Sequence, residues 1–165
     1  MKRAFVVIFL LVTLSPYAVA QTAGGETKPT GSAKDEEGIR KVLSDFVEAW
    51  NKHDAKAFSM VFAEDADFTN VRGMSAHGRT EVEKFHAPRF ATNFKDSNQK
   101  ITEIKIKLIT PDVAAVDARW EMTGAKGPDG QDIPLRKGLL NFIMTRSTSG
   151  QWLIMVMHNT DLPQQ

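Results

Sequence analysis

Apolar side chains recur at helical spacing in the first half of the chain and alternate with polar ones in the second half. From residue 35 to about residue 51, one predicted helix face comprises Ile39, Val42, Leu43, Phe46, Val47 and Trp50. An acidic triplet begins at Asp35, where carboxylates complement the positive end of the helix dipole. A second, short helix follows, for which Asp54 is a suitable cap, and its buried face comprises Ala57, Phe58, Val61 and Phe62.

A third helix is predicted after a short strand at 68–71 and a glycine-rich loop or tight hairpin at 73–78. Thr80 is a candidate cap for this helix, with a glutamate three residues on, as in a capping box. Pro88 lies inside the helical pattern and cannot donate a backbone hydrogen bond. We therefore expect a kink, or a break near His86.

Strict alternation begins after residue 97 and predicts four strands, at 102–108, 113–123, 136–145 and 151–160. The last of these is apolar on both faces, which indicates a central strand or one whose outer face is covered. Helices followed by a meander of long antiparallel strands are typical of an α+β domain, which we place at residues 35–163.

The N-terminal segment has the three parts of a secretory signal peptide. Lys2 and Arg3 precede an apolar run at 4–14, and the sequence Ala-Val-Ala ends at residue 20. The run is shorter than the ~20 residues that a transmembrane helix needs. We predict a signal peptide at 1–20 and a disordered leader at 21–34, which is rich in small and polar residues. The mature protein should then be secreted or periplasmic, with no membrane association after cleavage.

Composition excludes several kinds of function. The formal net charge is +1, and loss of Lys2 and Arg3 with the signal would leave the mature chain near neutral, which argues against nucleic-acid binding. Cysteine is absent, so disulfides, thiolate metal sites and cysteine nucleophiles are excluded. The one tyrosine, Tyr17, lies in the signal. The metal-binding, dinucleotide and phosphate-loop motifs are also missing, and we predict no metal and no cofactor.

Two histidines are candidate catalytic residues, because imidazole titrates near neutral pH. His158 lies in the last predicted strand, on the face of Trp152 and Ile154. His86 lies within the third predicted helix, beside an apolar stretch. The alternative is structural: a buried neutral imidazole bonded to a backbone carbonyl or, for His158, a place in a dimer interface.

Four other residues are candidates for ligand binding. Phe68 and Asn70 share one strand face, and the amide of Asn70 suits a ligand carbonyl or hydroxyl. Trp50 and Trp120 would form an aromatic wall if they face the pocket, although core packing is the default interpretation of both. Asn159 should point away from His158 unless a β-bulge intervenes.

The order and spacing of several short segments resemble a known family. Ala49-Trp50-Asn51, Asp54, 63–68 and Asn70 resemble the front half of the SnoaL-like proteins, in the superfamily of nuclear transport factor 2 and ketosteroid isomerase. Three further segments resemble the SgcJ/EcaC branch of this superfamily: Gly73 to Arg79, Phe85-His86, and Trp152 with His158-Asn159-Thr160.

The resemblance implies a cone-shaped barrel, in which a curved, mostly antiparallel sheet wraps around three N-terminal helices. It also implies a ligand pocket in the mouth of the cone and often a homodimer built on the outer face of the sheet. Two functions follow as hypotheses. One is binding of a small apolar molecule, with or without cofactor-free acid/base chemistry of an isomerase, cyclase or oxidoreductase type. The other is a non-catalytic dimeric binding or assembly module.

Overall fold

The computed structural model of the chain describes residues 33–163. The predicted signal peptide at 1–20, and all but the last two residues of the predicted leader at 21–34, lie outside this range. The elements are α1 (Ala33–Asn51), α2 (Ala55–Met60), β1 (Phe62–Thr69), β2 (Ser75–His77), α3 (Arg79–Phe90), β3 (Asn98–Thr110), β4 (Val113–Thr123), β5 (Arg136–Arg146) and β6 (Trp152–Asp161). No helix within this range is both long enough and apolar enough to span a membrane.

Six strands form one curved, open sheet in the order β2-β1-β6-β5-β4-β3. The β1–β6 pair is parallel and the other pairs are antiparallel. The predicted α+β class is therefore confirmed. β6 lies between β1 and β5, as its two apolar faces indicated.

The apolar face of α1 packs against the inner face of the sheet. Phe46 contacts Phe142 of β5 edge to face, with 5.8 Å between ring centroids, and Phe58 of α2 at 4.7 Å. All three rings are almost completely buried. Burying such a ring contributes about 1.5–3 kcal/mol. The residues that the helical periodicity placed on one face of α1 therefore stabilise its packing on the sheet.

The end of α1 holds the start of β3 by side-chain hydrogen bonds. The side chain of Asn51 accepts from the backbone N–H of Gln99 at 2.7 Å and donates to its carbonyl at 2.9 Å, as a neighbouring strand would. The indole N–H of Trp50 donates to Ser97 Oγ at 3.1 Å. Asp54 caps α2, as predicted, by accepting from a backbone N–H of the first turn. The hydrogen bonds of Trp50 and Asn51 therefore hold the start of β3, the edge strand, against the end of α1.

The structure overturns two local predictions and excludes one of the two alternatives in a third. Phe62 is the first residue of β1, where it pairs with β6, and is not part of α2. The third helix passes through Pro88 to Phe90 without a break near His86. Its N-cap position is Gly78 (φ +79°), with no side-chain cap from Thr80. Glu81, at the third helical residue, instead accepts the backbone N–H of residue 77 at 2.9 Å, and so replaces the predicted capping box.

Candidate functional site

The concave side of the sheet and the helices enclose a cavity of about 840 Å³. Its buried lining is mainly apolar and aromatic and includes Phe46, Trp50, Phe68, Trp120, Met122, Leu140 and Met157. The more exposed residues of its rim include Asn70, Arg72, Arg89, Lys126, Arg136 and Asp161. A cavity of this size and character accommodates a small organic molecule.

His86 of α3 lies deep in this cavity with 3% of its surface exposed. Five aromatic rings lie 4.4–6.1 Å from its ring centre: Trp50, Phe58, Phe68, Phe85 and Phe90. Its Nδ1 is 2.8 Å from the carbonyl oxygen of Val82, so Nδ1 carries the proton and donates it to that oxygen. Nε2 has no hydrogen-bond partner among residues 33–163 and is left as an acceptor.

Burial lowers the pKa of His86 to about 4, with a smaller contribution in the same direction from the positive charge of Arg89. The hydrogen bond to Val82 opposes this shift. The ring is therefore neutral at pH 7 and has no proton to give as a general acid. No carboxylate of the described residues contacts it. Since a base with a pKa near 4 is weak, this imidazole is better suited to accepting a hydrogen bond than to moving a proton.

The sheet wall of the cavity is built around Trp120. Its indole N–H donates to Asn159 Oδ1 at 2.9 Å. The guanidinium carbon of Arg136 lies 5.4 Å from the indole ring, and Arg136 donates to both carboxylate oxygens of Asp161 at 2.7 and 3.0 Å. A Cβ at Gly138 would lie 2.2 Å from the ring, so glycine is needed for the indole to lie over β5.

The placement of His158 corrects a prediction. The register of β6 against β5 shifts by one residue around Met155. Before the shift Trp152 is buried on the inner face, whereas beyond it Asn159 lines the cavity. His158 is exposed, as the outer face after the shift requires. The prediction that it shares a face with Trp152 is wrong, and the structure gives it no place in the cavity.

The four candidate ligand-binding residues all line this one cavity: Trp50, Phe68, Asn70 and Trp120. The oxygen of Asn70, however, accepts from the backbone N–H groups of Arg72 and Met74 at 2.9 and 3.0 Å. It therefore stabilises the turn between β1 and β2, and only its amide nitrogen remains for a ligand.

Gln99 is a cavity residue that the sequence did not indicate. It is 2% exposed, and its Oε1 is buried without a hydrogen-bond partner among the described residues. The alternation at 104–108, extended backwards, would point Gln99 outward. A register shift between Ile101 and Glu103 turns it inward. The sequence carried no signal for this shift.

Histidine and carboxylate side chains do not converge on a metal site anywhere in residues 33–163. On the exposed surface, His77 Nδ1 lies 2.8 Å from Asp67 Oδ1. This contact raises the pKa of His77. It is outside the cavity.

The fold and the cavity define an α+β domain with an aromatic-lined pocket on the concave side of a curved sheet. Comparison with known proteins identifies its family. Residues 43–144, more than half of the chain, match the model of the SnoaL-like domain family. The chain therefore belongs to the SnoaL-like family. No curated protein shows significant sequence similarity to it.

Solved structures share this fold, and among them are proteins described as cystatin-like and as NTF2-like. An uncharacterised protein with a cystatin-like fold from Caulobacter vibrioides is 25% identical, with a TM-score of 0.73 over 79% of this chain and 91% of that one. An NTF2-like protein of unknown function from Shewanella oneidensis is 20% identical, with a TM-score of 0.61 over 76% and 98%. A protein provisionally named a scytalone dehydratase, from Novosphingobium aromaticivorans, is 15% identical, with a TM-score of 0.68 over 79% and 85%.

Proposed function

We propose that this domain binds a small, mainly apolar molecule that presents a hydroxyl or N–H group to the floor of the cavity. One observation carries the proposal: in this mainly apolar cavity, Nε2 of the buried His86 makes no hydrogen bond to the described residues, and the buried Oε1 of Gln99 has no partner among them. Leaving a buried acceptor unsatisfied costs about 1–3 kcal/mol. A ligand donor would remove that cost, while the aromatic rings would hold its apolar body.

Binding is favoured over acid/base catalysis by the state of His86. Its pKa of about 4 and the lack of a contacting carboxylate leave no group in the floor of the cavity that is poised to exchange a proton near pH 7. We therefore propose a binding function and not the isomerase, cyclase or oxidoreductase chemistry considered from the sequence.

Naphthalene and 1-naphthol test the proposal as a matched pair of probes, because they differ by one hydroxyl. We expect both to quench the fluorescence of Trp50 and Trp120, which line the cavity. The hydroxyl should make 1-naphthol bind roughly fivefold more tightly. His86→Phe and Gln99→Leu should each reduce that preference. If neither naphthalene nor 1-naphthol binds, the proposal is contradicted.

The control for His86→Phe is the same substitution at His158, which is exposed and outside the cavity. His158→Phe should leave the affinities of both probes unchanged. If it reduced the 1-naphthol preference as much as His86→Phe does, the preference would not report on the cavity floor.

We propose that the outer face of the sheet forms a homodimer. Ala115, Ile143 and Val156 lie side by side on adjacent strands of this face and are only half-buried, and Leu153 and Met155 are half-buried nearby. This face also supports the alternative function, a non-catalytic dimeric assembly module. Sedimentation should detect a dimer that Ile143→Lys dissociates. Met60→Lys, at an exposed apolar residue of α2, is the matched control and should not.

We further propose that the protein is secreted or periplasmic and belongs to the SgcJ/EcaC branch. The signal-like pattern at 1–20 supports the first proposal, and the segments around Phe85-His86 and His158-Asn159 support the second. Mass spectrometry of the protein from cell fractions should find an N-terminus at Gln21 outside the cytoplasm. An intact Met1 in the cytoplasmic fraction would contradict secretion.

A further inference from the structure

The charges at the rim of the cavity do not balance. Its ionisable side chains are Arg72, Arg89, Lys126, Arg136 and Asp161. Lys126 pairs with Asp132 at 2.5 Å, and Arg136 pairs with Asp161 at 2.7 Å. Arg72 and Arg89 have no carboxylate partner within residues 33–163. The described part of the rim therefore presents two uncompensated guanidinium groups to the cavity.

Arg89 is held in place and partly removed from water. Its guanidinium carbon lies 3.6 Å from the centre of the Phe85 ring, and its Nη1 donates to the Phe85 carbonyl at 2.5 Å. Its Nε and Nη2 donors have no partner among the described residues. Burial, and then the positive charge of Arg72, lower the pKa of Arg89. A partly buried cation without a counter-ion is unfavourable, so this position favours an anion.

Arg72 lies on the turn between β1 and β2, which Asn70 stabilises. It is exposed and makes no side-chain hydrogen bond to the described residues. Its charge is close enough to affect the pKa of Arg89 on α3. Two elements that are distant in sequence thus bring two unpaired guanidinium groups to the same side of the rim.

We propose that the ligand of this cavity is an amphiphilic carboxylic acid, whose carboxylate is bound at the rim by Arg72 and Arg89. Its apolar body lies against Phe85 and the aromatic rings around His86. A guanidinium group presents parallel donors that match the two oxygens of a carboxylate. This inference rests on the proposed binding function and adds the chemical class of the ligand.

Three naphthalene probes test the inference by calorimetry: naphthalene, 1-naphthoate and 1-naphthylmethylammonium. We expect 1-naphthoate to bind at least about tenfold more tightly than naphthalene, because charge-assisted hydrogen bonds are the stronger kind. The ammonium probe should bind less tightly than naphthalene. Added salt should weaken 1-naphthoate binding while leaving naphthalene binding nearly unchanged.

Arg72→Met and Arg89→Met should each remove most of the preference for 1-naphthoate, measured in each variant as the ratio of the 1-naphthoate affinity to the naphthalene affinity. Lys84→Met is the matched control, because Lys84 is an exposed cation on the same helix as Arg89 and does not line the cavity. It should preserve the preference. If Arg89→Met fails to fold, Arg89→Lys replaces it as the test. Lysine keeps the positive charge but lacks the paired donors of a guanidinium group, so this variant should give an intermediate preference.

Two outcomes would overturn the inference while the proposed function stands: naphthalene binds but 1-naphthoate binds no more tightly, or Arg136→Met alone removes the preference. The second outcome would mean that the ligand carboxylate binds Arg136 and displaces Asp161 from its ion pair with that residue. If none of the three probes binds, the proposed function itself fails.

Discussion

The indole nitrogen of Trp120 donates a hydrogen bond to the side-chain oxygen of Asn159, although their strands, β4 and β6, are not neighbours in the sheet. The bond crosses β5 at Gly138, which pairs with Trp120 and has no side chain to intervene. Asn159 faces inward because the register of β6 shifts at Met155. The wall of the cavity therefore depends on one glycine and one bulge.

Replacing Asn159 should destabilise the protein more than replacing its neighbour. Asn159→Leu leaves the buried indole N–H of Trp120 without its acceptor, at an expected cost of about 1–3 kcal/mol in the free energy of unfolding. His158→Leu changes an exposed residue and should stay within about 0.5 kcal/mol. Urea unfolding of both variants measures the difference. A larger cost at His158 would contradict the inward placement of Asn159.

Gly138→Ala should displace Trp120, because the added Cβ would lie 2.2 Å from the indole ring. We expect a cost of about 1–3 kcal/mol in unfolding free energy and a change in near-ultraviolet circular dichroism. In a Trp120→Leu background the same substitution should cost less, since only the close contact of the added Cβ with the Thr160 carbonyl oxygen, at 2.5 Å, would remain. Additive costs in this double-mutant cycle would show that the clash is not with Trp120.

Asn51→Ala should detach the start of β3 from α1. It removes the partner of both the N–H and the carbonyl of Gln99, and each unsatisfied group costs about 1–3 kcal/mol. Hydrogen exchange should show faster exchange of the Gln99 amide. The control is Asn141→Ala, which removes an exposed amide bonded to Asp117 and should be nearly neutral. If the two variants lost equal amounts of unfolding free energy, the bonds of Asn51 to Gln99 would not hold β3 to α1.

The free energy of unfolding should fall as the pH decreases from about 6.5 to about 4, in part because of His86. Its pKa in the folded protein is about 4, against 6.5 without the protein environment. Between these values the unfolded chain binds more protons than the folded one, so acid favours unfolding. The contribution of this one group is about 3 kcal/mol in total, present above pH 6.5 and lost near pH 4.

The difference between the native protein and His86→Phe isolates this contribution, because the other titrating groups are common to both. The stability of the variant relative to the native protein should improve as the pH falls from 6.5 to 4. Should the variant not fold, nuclear magnetic resonance of the native protein gives the answer directly. A His86 ring that titrates near pH 6.5 would contradict its burial without a counter-ion.

The layers of the fold were predictable because they depend on local periodicity. The alternation at 113–123 gave β4 with its observed bounds, and the helical spacing from Ile39 to Trp50 gave the buried face of α1. Both patterns reflect which side of an element is removed from water. Phe62 was misassigned because its apolar character fits a helix end and a buried strand equally well.

The candidate site was predictable only in part. Trp50, Phe68 and Trp120 line the cavity, as large aromatic residues on inward faces should. His158 was misplaced and Gln99 was missed, because register shifts add one residue to a strand and so exchange the faces on the two sides of the shift. Asn70 bonds to its own turn, an irregular local geometry that periodicity does not reveal. The lack of a carboxylate near Arg89 within residues 33–163 depends on how segments that are remote in sequence pack together.

The sequence by itself determined the order of helices and strands, the apolar face of each and the family resemblance, because burial imposes a period on the chain that can be read locally. Only the tertiary structure decided which polar groups face the cavity. Bulges, close approach at Gly138 and the pairing of charges across the rim arise between segments far apart in the chain. Those non-local contacts leave His86 as a neutral acceptor and, as far as the described residues go, Arg72 and Arg89 without counter-charges.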